Sequence, residues 1–321
     1  MAASLICISH SPLKGLVDPA LEVIDETNRL ILSLSKELEE FDPELIFLFA
    51  PDHYNGFFLD SMPQICVGIE ALSIGDYGGL QGPLNVPSSI ALELSESLID
   101  DGFDIAVSFK MTVDHGFEQP LRELIGDLTR FPVIPIFINS VAPPMISFKR
   151  ARLFGEALGR FAAKLNKRIL FLGSGGLSHN PPVPLIHSAP AEVAARIING
   201  RNPSQEAVQA RKARTVSAAI AFAKGESDLH PLSPDWDLQF IENLVTKDWK
   251  RIDEYSNTQV TNDAGASAHE SKTWVVASAA MNACCANRYE PFSRYYRAIP
   301  EWIAGYGALT AVDTTEGIHR E

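Results

Sequence analysis

The chain has 321 residues, of which 46% are hydrophobic and 21% are charged, and this composition is typical of a globular protein with a large core. Its formal net charge of −13 argues against nucleic acid as a partner, because phosphate binding needs a basic face. The longest strongly apolar stretches, residues 45–50 and 275–286, are shorter than the roughly 20 residues that span a bilayer. No basic segment precedes the first apolar run, so we predict no signal peptide, no membrane partner and a cytoplasmic location.

The first third of the chain alternates strands and helices. An apolar run that begins at residue 5 breaks at His10, an amphipathic helix is predicted over residues 19–41, and a second apolar run over 45–50 breaks at His53. A strand, helix, strand order of this kind predicts parallel pairing with a right-handed crossover.

The next segments continue the pattern after a loop rich in glycine and proline over residues 74–87. We predict a helix over 88–101, capped by Ser88 or Ser89, and then a strand near 105–109 that runs on to His115. Residues 132–138 are apolar but contain prolines, which are typical of an edge strand or of a strand start.

The second half begins with an amphipathic helix and a strand and then becomes mainly helical. The predicted elements are a helix over 147–166, a strand from 168 whose exit loop carries His179, helices within 189–255, and a last helix from about 267. We therefore predict an α/β fold, a single domain with a central mixed or mostly parallel sheet flanked by helices and with helical additions in the C-terminal half. The domain is expected to cover residues 1–312, followed by a frayed tail over 313–321.

Four histidines, His10, His53, His115 and His179, thus follow predicted strands. Because the sites of open α/β sheets lie at the carboxyl ends of their strands, we expect a shared site. Two imidazoles and one carboxylate form the facial arrangement of non-haem iron(II) enzymes, while a zinc hydrolase accepts the same ligands, and the spacing does not decide between them. A third hypothesis is a non-enzymatic oligomeric scaffold whose interface is the aromatic segment 289–306, but four histidines at strand exits disfavour it.

Other motifs were tested and do not fit. The stretch GSGGLS at residues 173–178 has serine where the third glycine of GxGxxG belongs and lacks the first glycine of GxSxG, and the chain has no GxxxxGK[ST]. Cys7, Cys66, Cys284 and Cys285 form no CxxC pair, so we interpret them as reduced core thiols.

Seven stretches closely resemble one family. They are SHSP (9–12), APDHYNGFF (50–58), VDHGF (113–117), FLGSGGLSH (171–179), LHPL (229–232), HESKTW (269–274) and YRAIPEWIAG (296–305). In this order they resemble the 2,3-dihydroxyphenylpropionate 1,2-dioxygenases, which are class III extradiol ring-cleavage dioxygenases related to the catalytic subunit of protocatechuate 4,5-dioxygenase.

The resemblance implies an iron(II) cofactor held by His10, His53 and Glu270. By the sequence pattern alone Glu270 would be an ordinary acid in the first turn of a helix, and the match of the HESKTW stretch changes that interpretation. The resemblance also implies an acid–base pair, His115 and His179. We favour His179 as the base that deprotonates the catechol and His115 as the later acid, and the opposite assignment stays open. The implied partners are O2 and a small catechol, namely 2,3-dihydroxyphenylpropionate or a related 3-substituted catechol such as 2,3-dihydroxycinnamate.

Further expectations concern the surroundings of the site. Asp52 is a candidate for orienting His53, and His269 is expected to be structural. An anionic substrate that approaches an acidic protein needs a local cation, for which the candidates are Arg294, Arg297, Lys272 and Lys110. The aromatic segment 289–306 is expected to pack on a neighbouring subunit of a homo-oligomer.

Overall fold

A computed structural model describes residues 2–313 of the chain. Its strands, in chain order, are β1 (Ala3–Ile8), β2 (Leu45–Ala50), β3 (Ile65–Gly68), β4 (Ala71–Ile74), β5 (Gln81–Pro83), β6 (Ala106–Ser108), β7 (Met111–Val113), β8 (Val133–Ile138), β9 (Ile169–Ser174), β10 (Tyr289–Ile299) and β11 (Ala304–Asp313). Its α-helices are α1 (Leu21–Phe41), α2 (Ser88–Asp100), α3 (His115–Leu124), α4 (Phe148–Ala162), α5 (Ala191–Asn199), α6 (Gln205–Ala223), α7 (Pro234–Val245), α8 (Trp249–Glu254), α9 (Asn257–Ala264) and α10 (Lys272–Cys284).

A mixed sheet organises the domain, and it confirms the predicted fold class. Eight strands are hydrogen-bonded in the order β10-β11-β1-β9-β2-β8-β3-β6, and β5-β4-β7 form a separate small sheet. The four neighbours β1, β9, β2 and β8 are mutually parallel. Their carboxyl ends therefore meet along one edge of the sheet, and this edge carries the candidate site. Within the described part of the chain, no helix combines the length and the apolar character needed to cross a membrane.

Both faces of the sheet are buried, which explains why its central strands are continuous apolar runs. Alternate residues such as Phe47 and Phe49 belong to a core shared with α4 and α10, whereas Ile46 and Leu48 face a second core shared with α1 and α3. Helices α4 and α10 pack so closely that a Cβ at Gly159 would overlap the backbone carbonyl of Ala280, so only glycine fits at this position. All four cysteines are buried and free, as predicted.

Several local predictions were wrong. Strand β8 is interior, so the edge-strand alternative was wrong, whereas Pro132 does lie directly before the start of the strand. The pairing of β8 with β3 covers only Ile136–Ile138, so the missing N–H of Pro135 leaves no β3 carbonyl without its donor. Ser88 does not cap α2, since Pro87 holds the cap position and the Ser88 hydroxyl donates to the Ile69 carbonyl.

The aromatic segment 289–306 belongs to the sheet. It forms β10 and the start of β11, and β11 pairs with β1 inside the sheet. Strand β11 continues through Asp313, and the remainder of the predicted tail, residues 314–321, lies outside the described residues.

Candidate active site

The topology places three of the four predicted histidines at one edge of the sheet. His10 follows β1, His53 follows β2 and His179 follows β9, and β9 lies between the other two strands. His115 reaches the same place as the first residue of α3, and Glu270 comes from a 3-10 turn (Ala268–Ser271) that leads into α10. The structure thus brings all five predicted site residues together, and we call this group the cavity floor.

His10 is buried, and its hydrogen bonds indicate its tautomer. Its Nδ1 lies 2.9 Å from the hydroxyl oxygen of Ser174, and that hydroxyl donates to the carbonyl of Gly116 at 2.6 Å. Because the single hydroxyl proton is used on the carbonyl, the Ser174 oxygen must accept from Nδ1–H of His10. The lone pair of His10 is then on Nε2, which faces Oε2 of Glu270 at 3.7 Å.

His53 has the same arrangement with a different partner. Its Nδ1 lies 3.1 Å from Oδ2 of Asp114, which also accepts from the backbone N–H of His53 and from the amide of Asn55. Its Nε2 faces Oε1 of Glu270 at 3.2 Å. Asp114 therefore orients His53, as carboxylates commonly do for metal-binding imidazoles.

The expectation for Asp52 was wrong. Its carboxylate accepts the backbone N–H groups of Asn55, Gly56 and Phe57 and closes the turn that follows β2. Both oxygens of Asp52 thus bond within their own turn, and Nδ1 of His53 bonds to Asp114 instead.

Glu270 is fully buried and joins three imidazoles. Besides His10 and His53, its Oε1 contacts Nε2 of His179 at 3.1 Å, and its Oε2 accepts the N–H of Gly176 at 2.9 Å. Nδ1 of His179 donates to the carbonyl of Leu177 at 2.9 Å, so its Nε2 is the nitrogen that exchanges a proton. A side chain at Gly176 would overlap the His179 ring, which explains the glycine at this position.

His115 packs against one face of the His53 ring. Its ring stacks on His53 with 4.3 Å between ring centroids, and its Nδ1 contacts Oδ2 of Asp76 at 2.6 Å. The other oxygen of Asp76 is buried and has no hydrogen-bond partner within the described residues. The ligand nitrogens of His10, His53 and His115 all lie within 4.8 Å of one another.

The electrostatics of the floor follow from burial and mutual attraction. Burial lowers the pKa of His10 to about 3, which keeps this imidazole neutral. Burial opposes the charged form of His179 as well, but the Glu270 carboxylate outweighs burial and raises the pKa of His179. Burial favours the neutral form of Glu270, yet His179, His53 and His10 together hold its pKa well below the usual range.

The donor set fits a metal cation. Nε2 of His10 and Nε2 of His53 both face the Glu270 carboxylate, at 3.7 and 3.2 Å. Burial opposes the charged form of His53, but Asp114 and Glu270 raise its pKa well above the usual range, so a metal would bind in exchange for the proton that His53 shares with Glu270. Two neutral imidazoles and one carboxylate suit a divalent transition metal. His269 is not available for this role, because its nitrogens contact the Thr261 hydroxyl and the Lys272 ammonium.

A cavity of about 1180 Å³ opens above the cavity floor. One side is lined by α5 and α6, which we call the helical cover, and another by the prolines of the loop 181–184. None of the four cations predicted to bind a substrate carboxylate lines this cavity. Arg294 pairs with Glu37, Arg297 pairs with Glu26, Lys272 is buried against His269, and Lys110 lies exposed between β6 and β7.

Three supporting residues were missed by the sequence analysis, namely Ser174, Asp114 and Asp76. A signal existed for Asp114, because an acid directly before the histidine that begins α3 is a typical N-cap, and its side chain does accept the N–H of Gly116. The partners of Ser174 and Asp76 depend on tertiary packing and leave no local signal.

Buried imidazoles with carboxylate partners, at the carboxyl ends of parallel strands and below a cavity, indicate an α/β enzyme with a candidate metal site. The model of the family described as the catalytic LigB subunit of aromatic ring-opening dioxygenase matches residues 4–307. The chain belongs to this family and is a dioxygenase.

Full-length relatives agree with this assignment. The chain is 58% identical over 309 residues to the 2,3-dihydroxyphenylpropionate/2,3-dihydroxicinnamic acid 1,2-dioxygenase 2 of Dechloromonas aromatica, covering 96% of this chain and 98% of the relative. It is 51% identical over 315 residues to the 2,3-dihydroxyphenylpropionate/2,3-dihydroxicinnamic acid 1,2-dioxygenase of Paraburkholderia phymatum, covering 98% and 99%. The hypothesis of a non-enzymatic scaffold was therefore wrong.

A solved structure shares the fold. The uncharacterized protein JW3007 from Escherichia coli K12 matches with a TM-score of 0.50 and 16% sequence identity, covering 96% of this chain and 98% of that one. At this identity the likeness concerns the fold alone.

Proposed function

We propose that this dioxygenase binds iron(II) through His10, His53 and Glu270 and uses O2 to cleave the ring of 2,3-dihydroxyphenylpropionate. Related 3-substituted catechols such as 2,3-dihydroxycinnamate are expected substrates as well. The bond cleaved lies beside the diol, which is extradiol cleavage, and the reaction serves the catabolism of aromatic compounds. The observation that carries the proposal is the convergence of two oriented imidazole nitrogens on one buried carboxylate.

The choice of metal rests on the donor set and on the reaction class. Two imidazoles and a carboxylate on one face leave coordination positions open, which is typical of non-haem iron(II) oxygenases. Iron(II), when bound, would supply the open positions and the one-electron chemistry that the reaction of an aromatic ring with O2 requires. The relatives named above are dioxygenases of dihydroxyphenylpropionate and dihydroxycinnamate, which supports the substrate class.

His179 is proposed as the base that accepts a catechol proton. A catechol hydroxyl has a pKa well above neutrality, whereas imidazole titrates near 6.5, so an adjacent imidazole can take the proton at neutral pH. The Leu177 carbonyl holds Nδ1–H of His179, which directs Nε2 toward the cavity floor. The ring is thus fixed in orientation, and Nε2, which lies 3.1 Å from Oε1 of Glu270, is left as the nitrogen that exchanges the proton.

His115 is proposed as the acid that returns a proton when the ring opens. Asp76 holds Nδ1 of His115 at 2.6 Å and orients the ring, much as an acid partner orients a catalytic histidine in other enzymes. Stacking on His53 fixes the plane of the ring beside the proposed metal position. The prolines of the loop 181–184 add an apolar wall to the cavity.

Anaerobic reconstitution tests the proposal. The metal-free protein is loaded with iron(II) or with zinc(II), and O2 uptake and the yellow ring-opened product are followed with a panel of 3-substituted catechols. We expect stoichiometric O2 uptake with iron(II), none with zinc(II), and loss of activity after oxidation of the iron. An O2-independent activity that follows zinc(II) would favour the zinc hydrolase alternative and overturn the proposal.

We further propose that residues 1–312 act as one catalytic domain, that copies of the chain form a homo-oligomer, and that the enzyme acts in the cytoplasm. The edge position of β10 supports the second point, since an edge strand offers backbone groups to another copy. Light scattering must use the intact chain, because truncation before β10 would also remove the interior strand β11. A monomeric mass would contradict the oligomer, and activity in the periplasmic fraction of a bacterial host would contradict the location.

A further inference from the structure

The helical cover carries an unusual cluster of cations. Arg196 of α5 and Arg211 and Arg214 of α6 all line the cavity above the cavity floor. Arg211 and Arg214 lie almost one helical turn apart and therefore project from one face of α6. The protein as a whole carries a net charge of −13, so a concentration of positive charge in its catalytic cavity contrasts with the rest of the molecule.

Within the described part of the chain, these three guanidinium groups form no ion pair with a carboxylate. Within residues 2–313, nine arginines form ion pairs with carboxylates, among them Arg201 with Asp60 in the wall of the same cavity. Arg196, Arg211 and Arg214 form none. The repulsion among these three charges is therefore unfavourable, and an anion bound in the cavity would reduce it.

The charges act on one another. Burial lowers the pKa of Arg196, and the positive charges of Arg211 and Arg214 lower it further, while the exposed acid Glu192 only partly compensates. Cations that repel one another, and that form no ion pair with a carboxylate of residues 2–313, form a site suited to a negatively charged group.

The cluster lies close to the cavity floor. Arg211 donates to Oδ1 of Asn55 at 2.8 Å, and the amide of Asn55 donates to Asp114 at 2.8 Å, which in turn orients His53. Only two side chains separate the guanidinium from the imidazole. An aromatic ring held above the imidazoles can therefore extend a short substituent to the arginines.

We propose that Arg196, Arg211 and Arg214 form a carboxylate-binding site that selects catechols whose ring substituent ends in a negative charge. This inference rests on the proposed function, because it assumes that the diol lies at the cavity floor. Planar guanidinium groups bind carboxylates through paired N–H donors, which gives both affinity and orientation. The arginines are specificity residues, and they touch the substituent and not the reacting atoms.

Arg196→Gln is the sharpest test, because Arg196 has no hydrogen-bond partner among the described side chains whose loss would disturb the site. Steady-state kinetics compare 2,3-dihydroxyphenylpropionate with 3-propylcatechol, which has a neutral side chain. We expect kcat/KM for the anionic substrate to fall about 10- to 100-fold, mainly through KM, as when a hydrogen bond to a charged group is lost. The value for 3-propylcatechol should change less than about 2-fold.

Matched variants separate charge from structure. Arg196→Lys should retain part of the selectivity, and Arg211→Gln and Arg214→Gln should lose it like Arg196→Gln. Arg29→Gln removes the same charge from the exposed face of α1 and should leave both substrates unaffected. Equal losses on both substrates in the cavity variants, or no loss in any of them, would overturn the inference.

A binding measurement distinguishes failure of this inference from failure of the proposed function. Titration calorimetry on the metal-free protein compares 3-phenylpropionate with 3-phenylpropan-1-ol. We expect the carboxylate to bind about 10-fold more tightly than the alcohol, with the preference lost in Arg196→Gln and weakened by salt. If the wild type cleaves no catechol but shows this preference, the proposed function fails and the anion site stands. If the two compounds bind equally, the anion site fails whatever the enzyme cleaves.

Discussion

The cavity is built from two regions of very different character. The cavity floor consists of side chains held at the ends of buried strands and at the start of α10, a helix in which most residues are buried. The helical cover has one fully buried residue in each helix, Ile197 in α5 and Ala219 in α6. The floor is therefore fixed by the core of the domain, whereas the cover lies on it through few apolar contacts.

This difference suggests a division of labour. Imidazoles and carboxylates that bind a metal and move protons need positions fixed to within a fraction of an ångström, and a buried sheet edge provides such positions. Recognition of a substituent tolerates mobility and benefits from a wall that opens for substrate entry. Chemistry is thus assigned to the floor and selectivity to the cover, and the following predictions test that assignment.

The largest effect is expected from Glu270→Gln. The substitution keeps the shape of the side chain but removes the negative charge to which three imidazoles are directed. Iron(II) affinity should fall by at least about 100-fold, because changes that only affect the partners of ligands already cost that much, and turnover should be lost. Iron content after anaerobic reconstitution and O2 uptake measure the two effects.

His269→Gln is the control for this prediction. This neighbour of Glu270 is equally buried, but its nitrogens contact Thr261 and Lys272, so its loss should lower thermal stability while the bound iron remains. If Glu270→Gln still bound a full complement of iron, the carboxylate of Glu270 would not be a ligand of the metal.

The next effect concerns proton transfer. His115→Gln and His179→Gln should both bind iron(II) normally and lose turnover by about 10²- to 10⁴-fold, which is the usual contribution of a positioned acid or base. Metal content and single-turnover rates on the same preparations separate binding from chemistry. If His115→Gln also loses its iron, the metal is held by the cluster of His10, His53 and His115, whose nitrogens lie within 4.8 Å of one another.

A smaller effect is expected for the residue that orients His53. Asp114→Asn keeps the acceptor for Gly116 but weakens the hold on Nδ1 of His53, so iron(II) should bind about 10- to 100-fold more weakly. Asp52→Asn is the matched control, because this buried carboxylate lies next to His53 in the loop after β2 but bonds to the backbone of its own turn. It should reduce the melting temperature and leave the iron dissociation constant nearly unchanged. The reverse result would restore Asp52 as the orienting acid.

The sequence predicted the floor far better than its supports. Continuous apolar runs identify β1, β2 and β9, and the parallel order of these strands brings His10, His53 and His179 together. Glu270 could be assigned only through the family resemblance, because an acid at a helix start is common. Asp52 seemed the natural partner of His53 because it is adjacent, yet local turn bonding occupies it, and Asp114 is 61 residues away.

The cations of the cavity could not be predicted for a related reason. Arg294 and Arg297 lie near motifs of the family but are used in ion pairs with α1. Arg196, Arg211 and Arg214 belong to helices with no motif, and their role depends on how the cover docks over the floor. Docking of this kind is a tertiary event that neither periodicity nor composition indicates.

The smallest expected effect is a difference in mobility between the two regions. Amide hydrogen exchange should be at least about 10-fold faster in α6 than in α10, because sparse burial allows local opening at low free energy. Addition of 3-phenylpropionate to the metal-free protein should slow exchange in α5 and α6, while α10 stays unchanged. Equal protection of the two regions would mean that the cover is as rigid as the floor. Selectivity would then come from a preformed wall, and substrate entry would require another route than movement of α5 and α6.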